Sequence, residues 1–468
     1  MKKTKIICSI GPASCNVEIM EKMVNNGMNV ARINFSHATE EEKEAVVSTV
    51  KEVRNITGVE IGILYDTKGP EFRNGMLEND SITLEEGKNI RIVKKEVLGN
   101  TEQFSVNHPK AIDSLKVGDI ILLENGLMKI EVISQEEDGV TCKILNGGIL
   151  GNKKSLSVPG VKLDIPFIST DDFNDIVYAC THDGNFLALS FVSSKEDVLE
   201  VRKILKEYNR EDMKVISKIE STTGIDNIKE IVEVSDGIMV ARGDLGVEAP
   251  MEELPFLQKL IIKECHKQGK FSIVATEMLE SMKKNSRPTR AEVSDIASAV
   301  LNGTDAVMLS GETTTGKYPI ETVKYMANIC ENTERHLDYS ITDYSVNKSI
   351  GGAIATSVVE TANLLDAKAI VAATMSGNSA IRVSNLRPKS IIIATCPSKD
   401  IARSLMLNWA VYPIITNVYN STDEIIRDAK DKAKEFIDLK SKDIILVTGG
   451  FPNTTEVKTT NFMKIEEI

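Results

Sequence analysis

The sequence predicts an α/β protein with three parts: a closed (β/α)8 TIM barrel, an inserted all-β lid domain and a C-terminal doubly wound α/β domain. Three observations predict it. Eight short apolar runs alternate with helical stretches. One interval between the third and fourth runs reads instead as brief alternating strands with glycine turns. A second strand–helix series begins after Arg335.

The eight runs are Lys5 to Ile10, Asn29 to Ile33, Gly62 to Tyr65, Phe186 to Ser190, Lys214 to Ile219, Gly237 to Val240, Ser272 to Ala275 and Ala306 to Leu309. They are continuous in Val, Ile, Leu and Met rather than alternating, as parallel strands covered on both faces require. Helical stretches such as Glu18 to Asn26 and Asp197 to Tyr208 separate them. Eight strand–helix units close into a barrel. The text changes period around Val117-Gly118-Asp119 and Asn146-Gly147-Gly148, which marks an all-β insertion. The helix Asp171 to Cys180 then resumes the barrel. Beyond it, the helix Gly351 to Leu365 precedes strands at Ala369 to Thr374, Ser390 to Ala394, Val411 to Ile415 and Asp443 to Val447. The expected domains are 1–68 with 165–335 for the barrel, 69–164 for the lid and 336–468 for the C-terminal unit.

Bulk properties exclude several classes. At 468 residues the chain exceeds one compact core. Its net charge of −12 disfavours a broad nucleic-acid surface. No apolar run approaches the ~18 residues of a membrane span. Met1 to Ile10 lacks the apolar core of a signal peptide, so a cytoplasmic protein is expected. Seven scattered cysteines without a Cys-x-x-Cys pair read as reduced thiols. Five histidines leave few candidates for histidine general bases.

In such a barrel the chemistry gathers at the C-terminal strand ends. Strand two ends in Arg32, Asn34 and Ser36, strand three in Asp66 and Thr67, and strand five in Lys218 and Glu220. Strand six ends in Arg242 and Asp244, and strand seven in Thr276. Glu220 and Asp244 suit a hard divalent ion, which takes one or two carboxylates plus substrate oxygens. Arg32 and Lys218 suit a phosphate. Any one such residue is more often a cap or a solvated loop residue; five compatible ends together are not. These residues alone leave two chemistries open: phosphoryl transfer, and another Mg2+-dependent barrel reaction such as an oxo-acid lyase.

The same segments carry a family resemblance. Thr4 to Ser14 (TKIICSIGPAS), Arg32 to His37 (RINFSH), Asp66 to Glu71 (DTKGPE), Ile216 to Glu220 (ISKIE) and Arg242 to Gly246 (RGDLG) follow one another in order. Arg287 to Glu292 (RPTRAE) and Met308 to Glu312 (MLSGE) complete the set. The whole chain resembles the pyruvate kinase family. The resemblance implies transfer of a phosphoryl group from phosphoenolpyruvate to ADP, yielding pyruvate and ATP. It implies that Arg32 and Lys218 hold the phosphoryl group and that Glu220 and Asp244 hold Mg2+ or Mn2+. Amides around Gly243 and Asp244 would take the substrate carboxylate, since helix N-termini favour anions. Thr276 would help protonate the enolate. Arg73 and Lys154, from the lid, would reach the nucleotide phosphates. Asn34, Ser36, Asp66 and Thr67 would hold K+, and Glu71 in place of Lys implies that K+ is required. The loop Thr374, Ser376, Gly377, Asn378 and Ser379 would bind the phosphate of an allosteric effector, a sugar phosphate or AMP. A homotetramer is also implied.

Some residues depart from the family pattern: Ala38, Ser193, Glu277 and Asn378, the last removing a cation from the effector loop. Gly311 to Tyr318 mimics a P-loop but lacks the Ser or Thr after Lys317, and reads as structural. Thr289 with Glu292 reads as a capping box. A catalytically inactive sensor is the third reading. It is disfavoured because Lys218, Glu220 and Thr276 are all present.

Overall fold

The computed structural model describes residues 1–339, 348–451 and 460–468. Its barrel strands are β1 (Lys5–Ser9), β2 (Val30–Asn34), β3 (Gly62–Asp66), β4 (Phe186–Leu189), β5 (Lys214–Ile219), β6 (Gly237–Ala241), β7 (Phe271–Ala275) and β8 (Ala306–Leu309). All pair in parallel with their sequence neighbours, and β8 closes onto β1. The fold class read from the sequence is the one observed.

The two-residue period of a strand sorts each strand's side chains. One set, including Ile7, Val30, Leu64, Ile216 and Met239, fills the barrel interior. The alternate set, including Ile6, Ala31, Ile63, Val215 and Ile238, packs under the surrounding helices. Those helices start at recognisable caps. Thr39 with Glu42, Ser169 with Asp172 and Thr289 with Glu292 each form a reciprocal capping box.

The floor of the barrel is built from rings and gaps. Phe186 and Phe271 meet edge to face, 6.3 Å between centroids. Gly237 makes room for one of them: a Cβ there would sit 2.2 Å from the Phe271 ring. Met406 and Leu407, from the C-terminal unit, join the same interior cluster and seal the base.

The insertion after β3 carries its own core, from Phe72 to Val158. Its main sheet has six strands, centred on Met128–Glu136 and Gly139–Asn146. The C-terminal sheet has β9 (Ala369–Ala373), β10 (Ile391–Cys396), β11 (Val411–Ile415), β12 (Ile444–Gly449) and β13 (Phe462–Glu467) in the order β11-β10-β9-β12-β13. The edge strand β13 runs antiparallel to β12 and is absent from the sequence reading. Its polar pattern, with Lys464, Glu466 and Glu467, resembles a solvated tail. Gly311–Thr314 forms one short helical turn, and its Glu312 is buried, accepting from the amides of Leu279 and Ser310. The P-loop look-alike is therefore structural, as read.

The crowding at Gly237 gives a test of the floor. Gly237→Ala is expected to destabilise the protein by about 1–3 kcal/mol through overpacking. Adding Phe271→Leu should return part of that loss, measured by urea denaturation.

Candidate active site

The interior side chains change character at the C-terminal ends of the strands. Continuing the apolar set by two residues gives Ser9 after Ile7, Arg32 after Val30, Asp66 after Leu64 and Lys218 after Ile216. The period continues to Glu220 and, beyond β4, to Ser190. An apolar stack thus ends in a charged layer facing one cavity of ≈ 760 Å³.

Asp66 is the hub of that layer. Fully buried, it accepts from Arg32 Nε at 2.7 Å and lies 3.1 Å from Lys218 Nζ. Burial alone would raise its carboxyl, but Lys218 and Arg32 outweigh that and hold it below the usual carboxylate range. Lys218 Nζ also lies 3.0 Å from Glu220 and donates to Ser190 Oγ at 2.7 Å. Burial would strip its proton; Asp66 and then Glu220 reverse the effect and raise its pKa. Arg32 Nη1 donates to Ser9 Oγ at 2.7 Å.

Glu220 is poised differently. Its Oε2 accepts from the Phe191 amide at 2.6 Å. Burial pushes its carboxyl up to about 7; Lys218 opposes the shift, and the Asp244 carboxylate adds to it. A divalent cation held beside Glu220 and Asp244 would offset both the burial of Glu220 and the repulsion from Asp244. Two carboxylates beside an open cavity fit Mg2+, which keeps most of its positions for substrate oxygens and water. Among the described residues no cluster of three or more His, Cys, Asp or Glu forms a closed metal cage.

The remaining expected residues fall into three groups. Asn34, Ser36 and Thr67 line the central cavity, and Asn34 and Asp66 are register partners on β2 and β3. Here Asn34 Oδ1 accepts from the Ser36 amide, and Thr67 Oγ1 from the Ser190 amide. Thr276 also faces the cavity, from a left-handed backbone (φ 69°). Its hydroxyl accepts the Gly243 N–H at 2.9 Å, so that amide, expected to meet an anion, is engaged within the protein. Arg242 turns outward to Asp295 and to the Thr276 carbonyl, bracing the loop.

The lid cations are held by carboxylates. Arg73 makes a two-pronged pair with Glu71, at 2.8 and 2.7 Å, and Lys154 lies 2.6 Å from Glu124. Lys154 faces an adjoining cleft of ≈ 410 Å³ shared with Asp244 and Glu220, whereas its neighbour Lys153 lines the central cavity. Sequence reasoning did not single out Lys153, Ser190 or Ser9; the interior period was available to find the two serines. In the C-terminal unit, Thr374 Oγ1 accepts the Gly377 amide and Ser379 pairs with Thr460 at 2.8 Å. Ser376 and Asn378 of that loop are exposed.

A lidded, cation-rich pocket at the C-terminal mouth of a (β/α)8 barrel defines an enzyme acting on a small anionic substrate. The family models agree. That for the pyruvate kinase barrel domain matches residues 1–323, and that for the pyruvate kinase alpha/beta domain matches residues 352–466. The pyruvate kinases of Staphylococcus haemolyticus and Staphylococcus epidermidis are 47% and 46% identical, over 99% of this chain and 80% of theirs. A solved pyruvate kinase from Cryptosporidium parvum superposes with a TM-score of 0.95 at 38% identity, covering 100% of this chain and 96% of that one. The chain belongs to the pyruvate kinase family and is a phosphotransferase.

The dependence on Asp66 can be measured. Asp66→Asn leaves two buried cations with only Glu220 to balance them, and is expected to cost about 3–5 kcal/mol. Ser190→Ala, which spares both carboxylates, should cost about 1 kcal/mol. Urea midpoints at constant m-value give both numbers.

Proposed function

We propose that the enzyme moves the phosphoryl group of phosphoenolpyruvate to ADP, and that Arg32 and Lys218 hold the group in transit. The observation that carries this reading is the Lys218 ammonium, kept charged by Asp66 and Glu220 within 3.1 Å at the barrel mouth. The bond from phosphorus to the enol oxygen breaks and a bond to the terminal phosphate oxygen of ADP forms. The enolate then takes a proton at its methylene carbon, giving pyruvate and ATP. Such transfers are governed by positioning and charge neutralisation.

Glu220 and Asp244 would hold Mg2+ or Mn2+, which when bound neutralises charge on the phosphoryl and enolate oxygens. Arg32 orients the phosphoryl group as a fork, while Lys218 meets it as a point charge. The amides of Gly243 and Asp244 receive the substrate carboxylate once Thr276 releases the first of them. The Thr276 hydroxyl then helps deliver the proton through water. Arg73 and Lys154, freed from Glu71 and Glu124, take the nucleotide phosphates, with Lys153 beside them. Closure of the lid domain, residues 69–164, keeps water from the phosphoryl group.

Asn34, Ser36, Asp66 and Thr67 form the K+ site. The loop from Thr374 through Ser376, Gly377 and Asn378 to Ser379 takes the phosphate of a sugar-phosphate or AMP effector in the regulatory domain, residues 336–468. Among the described residues no helix is long and apolar enough to cross a membrane, and we place the enzyme in the cytoplasm. Exposed Phe256 and Leu260, one turn apart on the helix Leu254–Gln268, favour assembly into a homotetramer.

A coupled assay tests the reaction. Pyruvate should form from phosphoenolpyruvate only with ADP present, with one ATP per pyruvate. Formation of pyruvate from other substrates without ADP would point to a lyase. Lys218→Met should lower kcat by 10²–10³-fold or more, with an unchanged far-ultraviolet circular dichroism spectrum. Activity should also require K+, and Glu71→Lys should relieve that requirement, read as the ratio of rates with and without K+.

A further inference from the structure

A second charged cavity lies on the opposite side of the barrel, where its N-terminal segment meets the C-terminal unit. It measures ≈ 590 Å³ and is lined by Met1, Lys3, Glu331, Glu334, Arg335 and Lys389, with Leu337 and Tyr339 as apolar wall. Met1 and Lys3 precede β1. Glu331 and Glu334 end the last barrel helix, Pro319–Glu334. Lys389 enters β10 from the C-terminal unit.

The charges in this cavity do not balance. Four cationic groups face two lining carboxylates; with Asp366, the partner of Lys389, also counted, one positive charge is left over. Glu334, which is buried, spends both oxygens on backbone amides, accepting from Lys3 N at 2.7 Å and Thr4 N at 2.6 Å. Glu331 is shared between the Met1 amino group at 3.3 Å and Arg335 at 3.5 Å. Lys389 has a partner, Asp366 at 2.6 Å, but both groups are exposed and exchangeable with solvent.

Lys3 is the unusual member. Only 8% of it is exposed, yet among the described residues no carboxylate lies within ion-pair distance of its ammonium. Among the described residues its ammonium donates one hydrogen bond, to the Tyr339 hydroxyl at 2.7 Å. That hydroxyl in turn donates to the Glu334 carbonyl at 2.9 Å. The ammonium otherwise rests over the Tyr339 ring at 4.2 Å and the Trp409 ring at 5.2 Å. Burying a cation without a counter-charge is costly, and burial pushes the Lys3 ammonium down to about 8, opposed by Glu334 and assisted by Lys389. A buried cation kept beside an open cavity, among other cations, is an arrangement an anion completes.

We propose that this cavity binds a phosphate dianion, free or as a small monoester, on Lys3, Arg335, Lys389 and the Met1 amino group. A ligand of charge −2 takes the place of the exposed Asp366 at Lys389 and removes the local excess. It also bridges the first strand of the barrel to the C-terminal unit, so its occupancy stiffens the joint between them. The site lies apart from both the barrel mouth and the Thr374 to Ser379 loop.

The protein supplies its own reporter, because Trp409 is its single tryptophan and stands beside Lys3. Inorganic phosphate is titrated into the full chain at constant ionic strength, with chloride making up the balance, and tryptophan emission is followed. A saturable change is expected. Lys3→Met should weaken the apparent affinity at least tenfold and Lys389→Gln about threefold. Lys218→Met and Ser376→Glu, altered at the other two anion sites, should leave the curve unchanged. If Lys3→Met does not fold, Lys389→Gln decides. Repeating the titration with glycerol 3-phosphate separates the sources: tighter binding identifies a monoester, and equal or weaker binding the free ion. The absence of a saturable change in the unaltered chain overturns the proposal, as do curves that Lys3→Met and Lys389→Gln leave in place.

Discussion

Everything at the barrel mouth depends on one buried carboxylate. Asp66 gives one oxygen to Arg32 and the other to Lys218, at the end of an otherwise apolar interior stack. Two cations so close would repel each other and shed a proton if left alone. With Asp66 between them and Glu220 alongside, the quartet is close to neutral. It therefore survives burial while leaving both cations charged. On the proposed function, a phosphoryl group arriving with a divalent ion would bring negative and positive charge together, and the cluster would not need to reorganise its own balance to accept them.

The lid treats its cations in the same way. Arg73 is clasped by Glu71 and Lys154 by Glu124. These pairs are partly exposed, so each is worth little and is easily exchanged for a phosphate. The contrast in burial is functional. On the proposed function, the pairing at the mouth would persist through turnover and that in the lid would break.

How much of this was legible in the sequence follows from how local each signal is. The eight barrel strands are doubly covered, so their apolar runs are continuous and stand out. Strand β13 lies at a sheet edge, alternates with Lys and Glu, and gave no such run. Arg32 and Lys218 announced themselves as charges within otherwise apolar strands, and Glu220 and Thr276 as polar residues directly after them. Ser190 and Ser9 did not, because a lone serine after a strand reads equally well as a cap. The choice between Lys153 and Lys154 could not be read at all. Adjacent residues face different cavities, and Lys153 adopts a left-handed backbone (φ 54°) that no pattern in the sequence signals. The Glu124 clasp is likewise a product of folding, because Glu124 reaches Lys154 across the lid sheet and not along the chain.

Met406 and Leu407 carry a consequence for how this architecture can change over time. They lie in the C-terminal half of the chain but complete the inside of the barrel. Arg403 adds a clasp beside them, at 2.8 Å from Glu60 and 2.9 Å from Asp183. The two halves are therefore not interchangeable modules. A chimaera that took its C-terminal half from a distant relative would inherit a cork cut for another bottle, and the mismatch would fall on the floor beneath Phe186 and Phe271. Descent should preserve these halves as matched pairs, even where their outer surfaces drift.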